Sequence, residues 1–95
     1  MRLTESEIRA IREELARLDP DAQVYLFGSR ADDGARGGDI DLLVVSDKLA
    51  FRDLLRLRLR ILDRIGWQQL DLVVRRSNQL DDPLAAVAQE SGIKL

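Results

Sequence analysis

Residues 27–41 read FGSRADDGARGGDID. A Gly-Ser turn, a glycine-rich loop and two aspartates one residue apart share this short span. Just upstream, Gln23–Phe27 (QVYLF) is rich in strand formers. Just downstream, Asp39–Val45 (DIDLLVV) reads as a second strand, apolar enough to be central in a sheet. The four glycines between positions 28 and 38 mark turn and loop. A strand that stops at Gly28-Ser29 and passes into a short helix or turn offers free backbone N–H groups and a hydroxyl at one point. That is a place for a phosphate, and glycine keeps side chains from holding the phosphate off the backbone. Asp39 and Asp41 stand at i and i+2, so both carboxylates leave one face of the strand while Ile40 points to the core. Two such groups repel each other and favour a cation between them. Each feature also has a plain alternative, a tight turn for Gly28-Ser29 and a solvated loop position for Asp39.

A third acid follows. Asp71 interrupts the apolar run Leu70-Asp71-Leu72-Val73-Val74 within a strand expected over Gln68–Arg75 (QQLDLVVR). With a neighbouring strand in register, its face joins that of the first two aspartates. The competing reading is an edge-strand charge that discourages aggregation.

The remaining chain supplies helices. Thr4 and Glu7 fit a capping box, and Ile8, Ile11, Leu15 and Leu18 make one apolar face. Asp19-Pro20 ends that helix, because the residue before proline is pushed out of the helical region. Residues 49–66 alternate as a strand over LRLRLRI, yet Phe51, Leu54, Leu55, Leu57, Leu59, Ile61, Leu62 and Ile65 fall on one broad arc at helical spacing. Eighteen residues suit a helix better than a strand, with Gly66 as its C-terminal cap. Most of that arc is expected to be core. Arg58 falls inside it with no evident intramolecular partner, which makes it a candidate for an intermolecular contact. A last helix begins near residue 82 with Pro83 in its first turn, and GIKL trails off. Tyr25 and Trp67 read as packing residues near strand ends. The expected fold class is therefore α/β (α+β): a small mixed β-sheet flanked by helices, in the order α-β-α-β-α-β-α, as a single domain over residues 1–95.

Composition narrows the chemistry. At 95 residues, 45% hydrophobic and 34% charged, the chain has the make-up of a small globular domain. It has no cysteine and no histidine, so disulfides, thiolate sites and the usual zinc ligands are excluded. A metal would need oxygen ligands, which favours Mg²⁺, Mn²⁺ or Ca²⁺. The formal net charge of −2 speaks against long nucleic acids. The arginines at 52, 56, 58, 60 and 64 are interspersed with Asp53 and Asp63, which suits a solvated helix face. No apolar run spans a bilayer and the first residues carry no signal-peptide core, so the expected location is cytoplasmic, without a membrane partner.

The run Leu26-Phe27-Gly28-Ser29-Arg30-Ala31, then Gly34, then Asp39-Ile40-Asp41-Leu42, resembles the G-S-x…D-x-D signature of the DNA polymerase beta-like nucleotidyltransferases. It looks most like their minimal bacterial branch, the MNT-type proteins. Two features depart from many relatives: Gly38 stands where a serine often precedes the paired acids, and the loop is one residue shorter. The resemblance implies the nucleotidyltransferase fold and a site in which Gly28, Ser29 and Arg30 bind the phosphates of ATP. It implies that Asp39, Asp41 and Asp71 hold two Mg²⁺ ions, with Asp71 also placed to accept a proton. Arg36 is a further candidate phosphate contact. The likeness further implies an antitoxin of a type VII pair that attaches AMP to a tyrosine of a HEPN-domain ribonuclease toxin, in a homo- or hetero-oligomer. The alternatives are a non-catalytic module that sequesters the HEPN partner, or transfer to a small molecule or an RNA end.

Overall fold

A computed structural model describes residues 3–28 and 39–95. The chain runs α1 (Glu5–Leu18), β1 (Gln23–Phe27), β2 (Ile40–Val45), α2 (Phe51–Ile65), β3 (Leu70–Arg75), a 3₁₀ turn (Ser77–Gln79), α3 (Pro83–Ser91) and β4 (Ile93–Lys94). The short helix or turn expected after Gly28-Ser29 lies outside the described residues.

The strands form one mixed sheet in the order β3-β2-β1-β4. β1 is antiparallel to β2 and to β4, whereas β2 and β3 are parallel and joined across α2. A parallel pair needs such a crossover, and the helix supplies it. The two internal strands are β2 and β1. In β2, Ile40, Leu42, Leu43 and Val44 are all buried, as its near-continuous apolar sequence predicts.

Strand alternation divides the core in two. Val24, Leu26, Ile40, Leu42, Val44 and Leu70 face α1 and α2, meeting Ile11, Leu15, Leu57, Ile61 and Leu62. Leu43 and Val45 face the opposite side, where Ala85 and Ala88 of α3 cover them and Tyr25, Phe27, Val73 and Leu80 close the rim. Alanines on α3 let that helix approach the sheet closely. No helix among the described residues is long and apolar enough to cross a membrane.

The helix ends follow the sequence. Glu7 N–H donates to Thr4 Oγ1 at 3.1 Å, and Thr4 N–H donates to Glu7 Oε1 at 2.9 Å, completing the capping box. Gly66 closes α2 with φ +89° and its N–H on Leu62 O at 2.9 Å. Asp82 caps α3, accepting from Leu84 N–H at 3.1 Å and Ala85 N–H at 3.2 Å, with Pro83 at the first turn. Arg64 ties α2 to α1 through Glu13 at 2.8 Å and Glu14 at 3.1 Å.

Four expectations change. GIKL does not trail off: Ile93–Lys94 pairs with β1, and Leu95 N–H donates to Val24 O at 3.0 Å. A Cβ on Gly92 would run into the backbone of Ala88 and lie 2.8 Å from Leu26 O, so only glycine lets the chain turn there from α3 onto the sheet edge. Arg58 has an intramolecular partner after all, donating from Nη1 to Leu70 O at 2.5 Å. That carbonyl belongs to edge strand β3, which explains why a charge sits on an otherwise apolar arc. Phe51, Leu55 and Leu59 lie on that arc yet are exposed, because the sheet is too narrow to cover so wide a face. Trp67 is exposed rather than packed.

Candidate active site

The site sits where β1 ends and β2 and β3 begin. β1 stops at Phe27, and Gly28 turns the chain away with φ +73°, a backbone conformation that glycine adopts without steric cost. Register places Phe27 opposite Asp41 on one side and Asp71 opposite Asp41 on the other. Residues directly opposite on neighbouring strands share a face, so Asp41 and Asp71 project together from the side of the sheet that carries α3. Asp39, two residues before Asp41, precedes β2 and is exposed. Ile40 N–H donates to Gln69 O at 2.9 Å and pins the start of β2 against the residue that leads into β3.

Gly28 packs directly on Asp41. A Cβ at position 28 would collide with Asp41 Oδ2 and lie 3.2 Å from its Cγ. The turn glycine and the acid are therefore one steric unit, and any side chain at 28 displaces the carboxylate.

Electrostatics mark the same spot. Burial pushes the Asp41 carboxyl above its ordinary proton affinity, and the charges of Asp71 and Asp39 push it further. The close approach of the Asp71 side chain acts in the same direction. No lysine or arginine among the described residues forms an ion pair with Asp39, Asp41 or Asp71. As they stand, the described acids include no group of three or more gathered tightly enough to hold a metal ion. The three aspartates are near enough to repel one another, not drawn in to a common point. A donor set of carboxylate oxygens without an ion-paired cation among the described residues fits a hard divalent cation.

Of the other positions singled out in the sequence, Ser29, Arg30, Gly34, Arg36 and Gly38 lie outside the described residues. One polar neighbour escaped sequence reasoning. Gln69 Nε2 reaches Asp71 Oδ1 at 3.5 Å, the outer limit of a hydrogen bond. Its signal was its i−2 spacing from Asp71, which sets both side chains on one face.

A profile of the nucleotidyltransferase domain matches residues 8–94 of this sequence. The chain belongs to that family. A nucleotidyltransferase domain accounts for the mixed sheet, the three helices and the strand-end acids, and domains of this family generally use a nucleoside triphosphate and a divalent metal. Among solved structures, the domain is similar to a crystal structure provisionally assigned as a nucleotidyltransferase, with TM-score 0.64 and 22% identity, over 95% of this chain and 98% of that one. It is also similar to a protein from Sulfolobus solfataricus with the same provisional assignment, with TM-score 0.52 and 23% identity, over 95% of this chain and 82% of that one. At such identities the likeness speaks for the fold. No curated protein matches the sequence.

Proposed function

We propose that this nucleotidyltransferase domain transfers AMP from ATP to a protein hydroxyl, a tyrosine of a HEPN-domain ribonuclease toxin, and so acts as the antitoxin of a type VII pair. The observation that carries the catalytic part is the alignment of Asp41 with Asp71 across adjacent strands, beside a glycine that packs on Asp41. The antitoxin role and the HEPN partner rest on the resemblance of the G-S-x…D-x-D stretch to minimal nucleotidyltransferases.

In this reading Asp39, Asp41 and Asp71 would hold two Mg²⁺ ions, which would supply charge neutralisation at the triphosphate and lower the pKa of the acceptor hydroxyl. Gly28 leaves its backbone open to the β- and γ-phosphates, and Ser29 and Arg30, next in sequence, are assigned to the same phosphates by the resemblance. Asp71 accepts the proton of the acceptor hydroxyl. The hydroxyl oxygen bonds to the α-phosphorus as the bond from that phosphorus to the bridging oxygen breaks, and pyrophosphate leaves. The product is an AMP–protein ester.

The test is transfer from ATP labelled on its α-phosphate to a purified HEPN protein in the presence of Mg²⁺. Asp41→Ala is expected to lower transfer by a factor on the order of 100 or more. Unchanged transfer by Asp41→Ala and by Asp71→Ala would remove these residues from the chemistry. A binding-only antitoxin is the second reading, favoured by the exposed apolar residues of α2. An Asp39→Ala/Asp41→Ala double variant that still neutralises the toxin fully would select it.

A further inference from the structure

On α2, Phe51, Leu55 and Leu59 recur every fourth residue and are 75%, 52% and 65% exposed. They form one stripe along the helix, distinct from Leu57, Ile61 and Leu62, which are buried against the sheet. Trp67, 82% exposed, follows just past the C-terminal end of the helix. Fifteen residues of helix give this face a length of about 22 Å. Beside the stripe, one position on at each turn, runs a row of exposed arginines: Arg52, Arg56 and Arg60. None of the three forms an ion pair or hydrogen bond among the described residues, in contrast to Arg58 and Arg64. An apolar stripe of this size beside three cations without a partner among the described residues is unusual on a surface that faces only water.

We infer that this face docks an amphipathic helix of the acceptor protein, one whose apolar stripe is flanked by Asp or Glu. Apolar residues at i, i+4 and i+8 match ridge-into-groove packing of a second helix, and the arginine row selects an acidic flank. A second copy of this chain is the poorer occupant. Packed antiparallel on the same stripe, it sets its own Arg56 and Arg60 against this arginine row. Nucleic acid is also disfavoured, because the chain carries a formal net charge of −2 and the arginines of α2 are interspersed with Asp53 and Asp63. α2 ends at Ile65 and the chain then enters edge strand β3, so the docking face lies beside that edge, while Asp71 projects from the opposite face of the sheet. The inference deepens the reading above and rests on it for the purpose of docking, whereas docking itself can be measured alone.

The probe is a synthetic amphipathic peptide of about 20 residues with a leucine stripe, made in a Glu-flanked and a Lys-flanked form. Binding is read from the anisotropy of the labelled peptide and from the emission of Trp67, the only tryptophan of the chain. The Glu-flanked peptide is expected to bind at least about tenfold more tightly, with a blue shift of Trp67. Leu55→Glu/Leu59→Glu, at exposed positions, is expected to abolish binding while leaving the circular dichroism spectrum unchanged. Arg52→Glu/Arg56→Glu/Arg60→Glu is expected to reverse the preference between the two peptides. Equal affinity for both peptides overturns the inference. So does a dimer in sedimentation equilibrium that Leu59→Glu dissociates, or displacement of the peptide by an RNA oligonucleotide with a steep salt dependence. With Asp41→Ala, docking is expected to persist although AMP transfer is lost, so a failed dock and a failed reaction are told apart.

Discussion

At the scale of single residues, Gly28 and Asp41 set the sharpest constraints. Gly28→Ala meets two penalties, the positive φ and the collision with the Asp41 carboxylate. The expected cost is about 1–3 kcal/mol in denaturant unfolding, together with a fall in transfer activity larger than that stability loss explains. Asp41 itself opposes folding when no cation is bound. Its folded proton affinity is raised, so the fold prefers the neutral acid and is stabilised below the unfolded pKa. That contribution is lost as pH rises through the higher folded value. Asp41→Asn is therefore expected to raise the melting temperature in chelator at pH 7, with the gain vanishing as pH falls well below the unfolded value of 3.8, where both states are protonated. Asp82 behaves in the opposite way. The Ala85 N–H and the guanidinium of Arg75 lower its proton affinity, so its contribution is present at neutral pH and fades as pH falls through the acid range. Asp82→Ala is expected to lower the melting temperature by a few degrees at pH 7, and by less at pH 3. Asp41 was legible as a strand acid from the apolar run that follows it, whereas Asp39, read as part of the same strand, precedes β2 and is exposed, as the solvated-loop alternative had it. The packing of Gly28 on Asp41 was not legible, because it joins the turn to a strand position thirteen residues later in the chain.

At the scale of elements, local signals transferred well and non-local ones did not. The Thr4/Glu7 box, the Gly66 cap and Pro83 at the start of α3 depend only on neighbours in sequence, and each holds. Helix α2 was readable as a helix despite LRLRLRI, because length and arc outweigh a local alternation. Which part of its arc would be covered depended on the width of the sheet and could not be read from spacing. Leu57 and Ile61 are buried, whereas Leu55 and Leu59 are not. The network at the other end of the sheet was equally hidden. Ser46 Oγ donates to buried Asp19 Oδ2 at 2.6 Å and accepts from Leu49 N–H at 3.1 Å, joining the end of α1 to the start of the β2–α2 connection. Arg58 is a test of the edge. Arg58→Met keeps most of the apolar stem but leaves Leu70 O without its donor, and is expected to cost about 1 kcal/mol by denaturant titration.

At the scale of the whole molecule, the small core makes each large side chain count. Leu42 is fully buried on central strand β2 between α1, α2 and the neighbouring strands. Leu42→Ala is expected to cost about 2–5 kcal/mol. Against a total stability of about 5–15 kcal/mol, that change alone brings the domain close to unfolding, which thermal melting will register. The two faces of the sheet divide the labour. One is sealed by α1 and α2, while the other gives α3 its seat and leaves Asp41 and Asp71 beyond the cover of that helix. The final residues carry a separate implication for anyone handling the protein. Since the amide of Leu95 is already bonded to Val24, whatever is joined behind it sets out alongside β1 in an extended path. A polar, glycine-rich tail would peel off into solvent there, whereas a strand-forming one would zip onto the border and enlarge the sheet, so an affinity tag is better placed at the opposite terminus.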